Sequence, residues 1–485
     1  MSTALIIEML LVLIIAQVIF VVIMENKNPY RALAWTLVLT FLPVLGLVLY
    51  LFFGEDYHRK RRIQKKLSVE RQTATKSPEG DFELPFRGWG LAPFRGLGAD
   101  APEEYGSLSD MLRNTDDSVV LDGNEVRFYS DGADKFKQFF EDIANARHHV
   151  HVLYYKIIDD HIGNQFKDLA IKKAEEGVQV RVLYDDVGSL HSKKRFFNEM
   201  RRGGVEVEVF LNVRLPWLAR SLNYRNHKKL AVIDGTIGYV GGMNIQDCYI
   251  EGVPWGVWRD MQIRIVGKGT QGLQRTFFLD WYHIHKSLPD YSPQYYPDTA
   301  IYGNNPMQIV SCGPLDDINS IERGIFQAIS NAKKNVYLQT PYFVPSEGIL
   351  FALQTAAISG VGVHVMMPKK SDNIFLDGAN LSYVKDLLPY GIKVYLFNAG
   401  FLHSKCTVID ESLTIMGSAN MDVRSFELDF ETNAFIYDED TARQAIDIFY
   451  TDAEDSLYII EEEWKKRSFR QRLFQAVCRL MTPVL

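Results

Sequence analysis

His227-Lys228-Lys229-Leu230-Ala231-Val232-Ile233-Asp234, followed by Gly241-Gly242-Met243-Asn244, decides the fold, because the chain nearly copies this stretch 176 positions later. There it reads His403-Ser404-Lys405-Cys406-Thr407-Val408-Ile409-Asp410, then Gly417-Ser418-Ala419-Asn420. In each copy His and Lys lie two residues apart and run into apolar residues. On a strand they share one face and can point at one ligand. A duplication of this kind predicts two similar domains.

Working outward, the repetition continues. Gly177-Val178-Gln179-Val180-Arg181-Val182-Leu183 matches Gly360-Val361-Gly362-Val363-His364-Val365-Met366, and Gly204-Val205-Glu206-Val207 matches Gly391-Ile392-Lys393-Val394. Each is a glycine stop followed by β-branched residues, which reads as a helix end feeding a strand. Helical patterns such as 166–176 and 349–359 alternate with these strands. The fold class is therefore α/β, with two homologous domains over 118–295 and 296–463 forming a pseudo-twofold body.

Upstream, Thr3 to Met24 and Ala32 to Phe53 are apolar runs, each long enough as a helix to cross about 30 Å of hydrocarbon. The sequence lacks the early basic residues and the single short run of a cleaved signal peptide. A retained transmembrane hairpin over 1–57 is expected. The cluster Arg59, Lys60, Arg61, Arg62, Lys65 and Lys66 follows it and would hold the domains after it on the cytoplasmic side of the inner (cytoplasmic) membrane, as a multi-pass protein. Residues 58–117 then read as a basic juxtamembrane segment and linker, within which Pro85-Phe86-Arg87-Gly88 and Pro93-Phe94-Arg95-Gly96 repeat. That repeat suits either contact with headgroups or a tether. Residues 464–485 form a basic amphipathic C-terminal segment, suited to anionic headgroups or to closing the catalytic domain.

Composition narrows the function classes. A net charge of −7 argues against a nucleic-acid footprint over the whole surface. The four cysteines, Cys248, Cys312, Cys406 and Cys478, show neither CxxC nor Cys/His ligand spacing, so no structural zinc and no disulfide scaffold is expected.

Paired histidines beside lysines suit two-step phosphoryl chemistry. One imidazole attacks phosphorus while the other protonates the departing oxygen and later deprotonates the incoming one. Lys229 and Lys405, with the amides of Asn244 and Asn420, would surround the phosphoryl oxygens. No metal is required, the lysines oppose a cation, and no acidic or histidine cluster is evident to complete a shell.

The doubled HxKxxxxD pattern with G[GS]xN resembles the phospholipase D superfamily. Tyr154-Tyr155, Leu183 to Ser189, Thr340-Pro341-Tyr342-Phe343-Val344-Pro345 and the closing Arg479 to Leu485 make the chain similar to bacterial cardiolipin synthases over nearly its whole length. The resemblance implies that the six motif residues His227, Lys229, Asp234, His403, Lys405 and Asp410 form the catalytic set, with the two aspartates holding the motif loops. It implies a carboxylate against each imidazole, supplied by Asp260 and Glu431 at the heads of the following strands. Ser418 offers a hydroxyl where the first half has Gly242. The implied reaction moves a phosphatidyl group from one phosphatidylglycerol to another through a phosphohistidine, releasing glycerol, with His227 as nucleophile and His403 as acid and base. No cofactor is implied. The implied partners are phosphatidylglycerol and anionic membrane lipids, not nucleic acid, and assembly into a homo-oligomer stays open. Hydrolysis to phosphatidic acid is the alternative outcome of the same machinery.

Overall fold

In each half a buried strand runs from the motif lysine, its first residue in one half and the residue just before it in the other, to the motif aspartate. Lys229–Ile233 lies between His149–Tyr154 and Ile237–Gly241. Cys406–Ile409 lies between Asn335–Gln339 and Leu413–Gly417. The structure is a computed structural model that describes residues 3–24, 29–53, 99–210, 224–285 and 292–482.

The two sheets share one strand order. In the first it runs Glu125–Tyr129, Gln262–Val266, Ile237–Gly241, Lys229–Ile233, His149–Tyr154, Gln179–Asp185, Glu206–Phe210. In the second it runs Met307–Cys312, Asp429–Tyr437, Leu413–Gly417, Cys406–Ile409, Asn335–Gln339, Gly362–Pro368, Lys393–Phe397, with Ser456–Tyr458 added at the edge. The predicted duplication is thus present strand for strand. The parallel pairs, such as Val150 opposite Val180 and Val336 opposite Val363, need crossover helices. His161–Glu175 and Glu347–Ile358 supply them, capped by the side chains of Asp160 and Ser346. Gly177, Gly204, Gly360 and Gly391 all have positive φ, which is why glycine ends each helix before its strand.

The sheets pack through a shared core. Leu230, Val240 and Phe277 of the first half meet Met366, Val408 and Met416 of the second in one cluster. Two short parallel ladders also join the halves. Arg225–Asn226 pairs with Asp429 and Phe430, and Gly400–Leu402 pairs with Val257–Arg259.

Three expectations change. Residues before 118 are not all linker, because Gly106–Asp116 is a helix whose Leu108 and Leu112, one turn apart, are buried in the core of the second half. The C-terminal segment folds as Phe469–Met481, capped by Ser468 and Gln471, and packs Cys478 against Gly378 of Ile374–Leu387. Its Phe469, Leu473 and Leu480 remain exposed, so closure of the catalytic body accounts for one face.

The third change concerns the N-terminal end, which forms a compact unit apart from the one holding the sheets. Thr3–Met24 is helical, while the second apolar run divides into Pro29–Phe41 and Pro43–Phe53. Among the described residues no helix is long and apolar enough to cross a membrane. This overturns the expected transmembrane hairpin and the multi-pass inner-membrane placement built on it. The division has a physical cause. Pro43 has no N–H for the carbonyl one turn back and cannot continue a helix without a break. Helices of 13 and 11 residues reach roughly 20 and 17 Å, short of about 30 Å. The basic cluster 59–66 and the Pro-Phe-Arg-Gly repeat lie outside the described residues.

The ladder before His403 needs a glycine. A Cβ on Gly400 would stand 2.0 Å from the Val257 carbonyl oxygen, which is backbone and cannot rotate away. Gly400→Val should open this ladder, costing about 1–3 kcal/mol. The expected result is a lower thermal midpoint together with at least a tenfold fall in turnover at a temperature where the variant is still folded.

Candidate active site

The two ladders position the catalytic groups. His227 directly follows Asn226, and its amide donates to Phe430 O at 3.0 Å; one residue after Phe430 comes Glu431. His403 follows Leu402, and its amide donates to Arg259 O at 2.6 Å; one residue after Arg259 comes Asp260. Each histidine is therefore held beside the carboxylate of the other half. His227 Nδ1 lies 2.9 Å from Glu431 Oε1, and His403 Nδ1 lies 2.6 Å from Asp260 Oδ2. With Nδ1 of both rings engaged, Nε2 is left for chemistry.

Both histidines line one cavity of about 250 Å³, together with Asn244 and Asn420. Lys229 and Lys405 are buried beside the rings and donate to the carbonyls of their own histidines. Lys405 Nζ also stands 3.0 Å from His403 Nδ1 and 3.3 Å from Nε2. The structure thus brings four motif residues and two carboxylates together. Asp234 and Asp410 are elsewhere. Asp234 accepts from the amides of Arg147, His148 and His149, and Asp410 from those of Lys333, Lys334 and Asn335. Both have φ of 52° and neither lines the cavity, so they hold the starts of the neighbouring strands.

The orienting residues differ between the halves. Ser418 Oγ donates to Glu431 Oε2 at 2.5 Å and so braces the carboxylate; it does not point at a ligand. At Gly242 a Cβ would lie 2.0 Å from Asp260 Oδ1. The shorter aspartate occupies the space that the serine side chain has in the other half, which explains why the motif reads Gly-Gly once and Gly-Ser once. Asn244 is committed, accepting from the Lys156 amide at 3.1 Å and donating to Tyr249 Oη at 2.9 Å. The Oδ1 of Asn420 is buried without a hydrogen-bond partner among the described residues.

Burial governs the charges. It pushes the His227 imidazole down to about 4, with Glu431 opposing and Lys229 assisting. His403 is held well below the usual range by burial, with Lys405 and Lys229 adding to it. Burial raises Asp260 to about 7 against the pull of Lys405, and lowers Lys405 to about 8 against Asp260. Glu431 is held low despite its burial by His227, Lys229 and Ser418. At neutral pH both rings are uncharged, as a nucleophile must be, and an arriving phosphate anion would favour protonation of the second ring.

His227, Asp429 and Glu431 bring ligand-type atoms within 4.8 Å of one another, a grouping across the halves that sequence spacing hid. The cationic groups of Lys229 and Arg424 act on these same carboxylates, so their charge is already offset by the protein. Tyr155, whose ring lies 5.0 Å from that of His227, and Trp258, 5.4 Å from His403, also wall the cavity. Sequence reading gave them no role. Tyr155 was visible only as part of a family-like dipeptide, and Trp258 only by its nearness to Asp260.

Comparison with known proteins follows this geometry. The family described as "Cardiolipin synthase, PLD-like domain" matches residues 139–251 and 325–453, thus both halves of the site. The chain belongs to the cardiolipin synthase family of the phospholipase D superfamily. A second family, "Phospholipase_D-nuclease N-terminal", matches residues 10–55. The major cardiolipin synthase ClsA of Bacillus subtilis is 40% identical over 100% of this chain and 99% of its own length. A cardiolipin synthase of Oceanobacillus iheyensis is 37% identical over 100% and 99%. The crystal structure of a phosphatidylserine synthase from Haemophilus influenzae superposes with a TM-score of 0.58 at 15% identity, covering 78% of this chain and 100% of its own, which speaks for the fold. Like its cardiolipin synthase relatives, the chain is a phosphatidyltransferase of the phospholipase D type.

With His227 as the attacking group, kcat/KM should fall on the acid side as pH drops through about 4. Glu431 raises the His227 value, so Glu431→Gln should move this limb to lower pH while reducing kcat by about 10²–10⁴-fold through loss of the orienting charge. Measuring the pH–rate profile of both proteins checks the two effects separately.

Proposed function

We propose that His227 is the nucleophile and His403 the general acid and base of the cardiolipin synthase reaction, with phosphatidylglycerol as donor and acceptor. The observation that carries this reading is the crossed pairing of both imidazoles with buried carboxylates at the wall of one cavity.

In the first step His227 Nε2 attacks phosphorus of the donor, the bond to the glycerol oxygen breaks, and His403, protonated at Nε2 once the anionic substrate has bound, gives that proton to the oxygen. Glu431 accepts a hydrogen bond from Nδ1–H of His227 and stabilises the ring as it becomes positive. Asp260 does the same for His403. In the second step the hydroxyl of a second phosphatidylglycerol gives its proton to His403 Nε2 while its oxygen forms the new bond to phosphorus. The phosphorus–nitrogen bond then breaks. One phosphodiester has replaced another, so no nucleotide is consumed. Lys229 and Lys405 place positive charge beside the phosphoryl oxygens, where burial strengthens their effect. Asp234 and Asp410 contribute by fixing the strands that carry the lysines.

Incubating the purified protein with phosphatidylglycerol should yield cardiolipin and glycerol in equal amounts. Phosphatidic acid in place of cardiolipin would reject transfer. His227→Ala and His403→Ala should each lower turnover by at least about 10³-fold. With donor lipid labelled at phosphorus, acid-labile label should remain on the His403→Ala protein and be absent from the His227→Ala protein.

A further inference from the structure

Transfer between two phosphatidylglycerols requires the site to hold two phosphates. Lys229 and Lys405 flank the reacting one. The acceptor brings a second, separated from its attacking hydroxyl by the carbons of its glycerol. That phosphate needs a cation of its own in the cavity wall.

The cavity has three further cations in its wall, Lys156, Arg225 and Arg424. Arg225 lies 3.2 Å from the buried Asp185, and Arg424 lies 3.5 Å from the buried Asp429. Both are thereby engaged with carboxylates at the His227 end. Lys156 makes no ion pair among the described residues. Its ammonium stands 5.8 Å from the ring centre of Tyr155 in the cavity wall, and its backbone partner Asn244 donates to Tyr249, whose ring lies 5.5 Å from that of Trp258 beside His403. It is half-buried, and its backbone is fixed to the motif loop at both groups. Its N–H donates to Asn244 Oδ1 at 3.1 Å, and its carbonyl accepts from Ile245 N at 3.1 Å. The ammonium therefore extends from a rigid base into the cavity wall.

The other half lacks this cation. His149 and Asn335 occupy equivalent places, each donating its amide to the motif aspartate of its half. Counting from them, Lys156 corresponds to Tyr342, a neutral group whose hydroxyl donates to Asp372 at 2.7 Å. The repeat is symmetric in its histidines and asymmetric in this charge, as a site with a distinct donor and acceptor requires.

We infer that Lys156 holds the phosphate of the acceptor lipid and thereby favours a phospholipid alcohol over a neutral one. The inference rests on the transfer reading above. Once the acceptor phosphate is held, its hydroxyl gives its proton to His403 and its oxygen takes the phosphoryl group from His227, so Lys156 acts by positioning.

The test supplies phosphatidylglycerol in mixed micelles together with labelled glycerol. Cardiolipin reports a phosphate-bearing acceptor, and label entering phosphatidylglycerol reports an acceptor without phosphate. Both reactions share the same first step. Lys156→Gln should lower the ratio of cardiolipin formation to glycerol exchange at least tenfold, chiefly through a higher KM for acceptor lipid, and Lys156→Arg should recover most of it. An unchanged ratio, including an equal fall in both reactions, would overturn the inference. Absence of both products with the unaltered protein would overturn the transfer reading itself, and is distinguishable for that reason.

Discussion

Two hydrogen-bonded pairs, His227 with Glu431 and His403 with Asp260, join one half of the molecule to the other, and the chemistry depends on their geometry. Neither half contains a complete histidine and carboxylate couple. Each is delivered by a short parallel ladder that sets a histidine of one repeat one residue beyond a backbone contact with the other. Catalytic competence is thereby tied to the docking of the halves. A shift of either ladder by one residue would turn the imidazole to the opposite face, since side chains alternate along a strand.

The crossed pairs are not identical, and the differences are matched. Glutamate is longer by one methylene and is braced by Ser418, whereas the shorter aspartate takes the corresponding volume beside Gly242. His227, Lys229 and Ser418 hold Glu431 low despite its burial, whereas burial lifts Asp260 to about 7. One ring thus sits against a firm negative charge, suited to supporting a covalent bond to phosphorus. The other sits in a couple that exchanges a proton near neutral pH, suited to acid and base work. The halves also differ where Lys156 of one corresponds to the neutral Tyr342 of the other.

Much of the site was legible because its groups lie close in sequence. The interval between His and Lys, the glycine stops before β-branched runs and the repetition at 176 positions all survive into the fold, since each is a local constraint on backbone and side-chain direction. Asp260 and Glu431 were recognisable by their place at strand heads, yet which histidine each would serve was not. The separation is 204 positions for one couple and 143 for the other, and only strand pairing between the halves selects it. Asp429, the bracing role of Ser418 and the commitment of Asn244 were hidden for the same reason. The apolar N-terminal runs misled because hydropathy measures composition, whereas crossing a bilayer needs one continuous helix, and Pro43 divides the second.

By itself, then, the sequence determined two α/β repeats, the histidines and lysines of the motif, and membership in a phosphodiester-exchanging superfamily. The repeats follow from periodicity and spacing, which short stretches of chain carry independently of what they later touch, and the membership from the resemblance that the doubled motif carries. The tertiary structure alone decided the crossing of the couples, the lowered pKa of the rings and which cation of the cavity wall makes no ion pair among the described residues. Those depend on burial and on contacts between residues far apart in the chain, which exist only once the two sheets share a core.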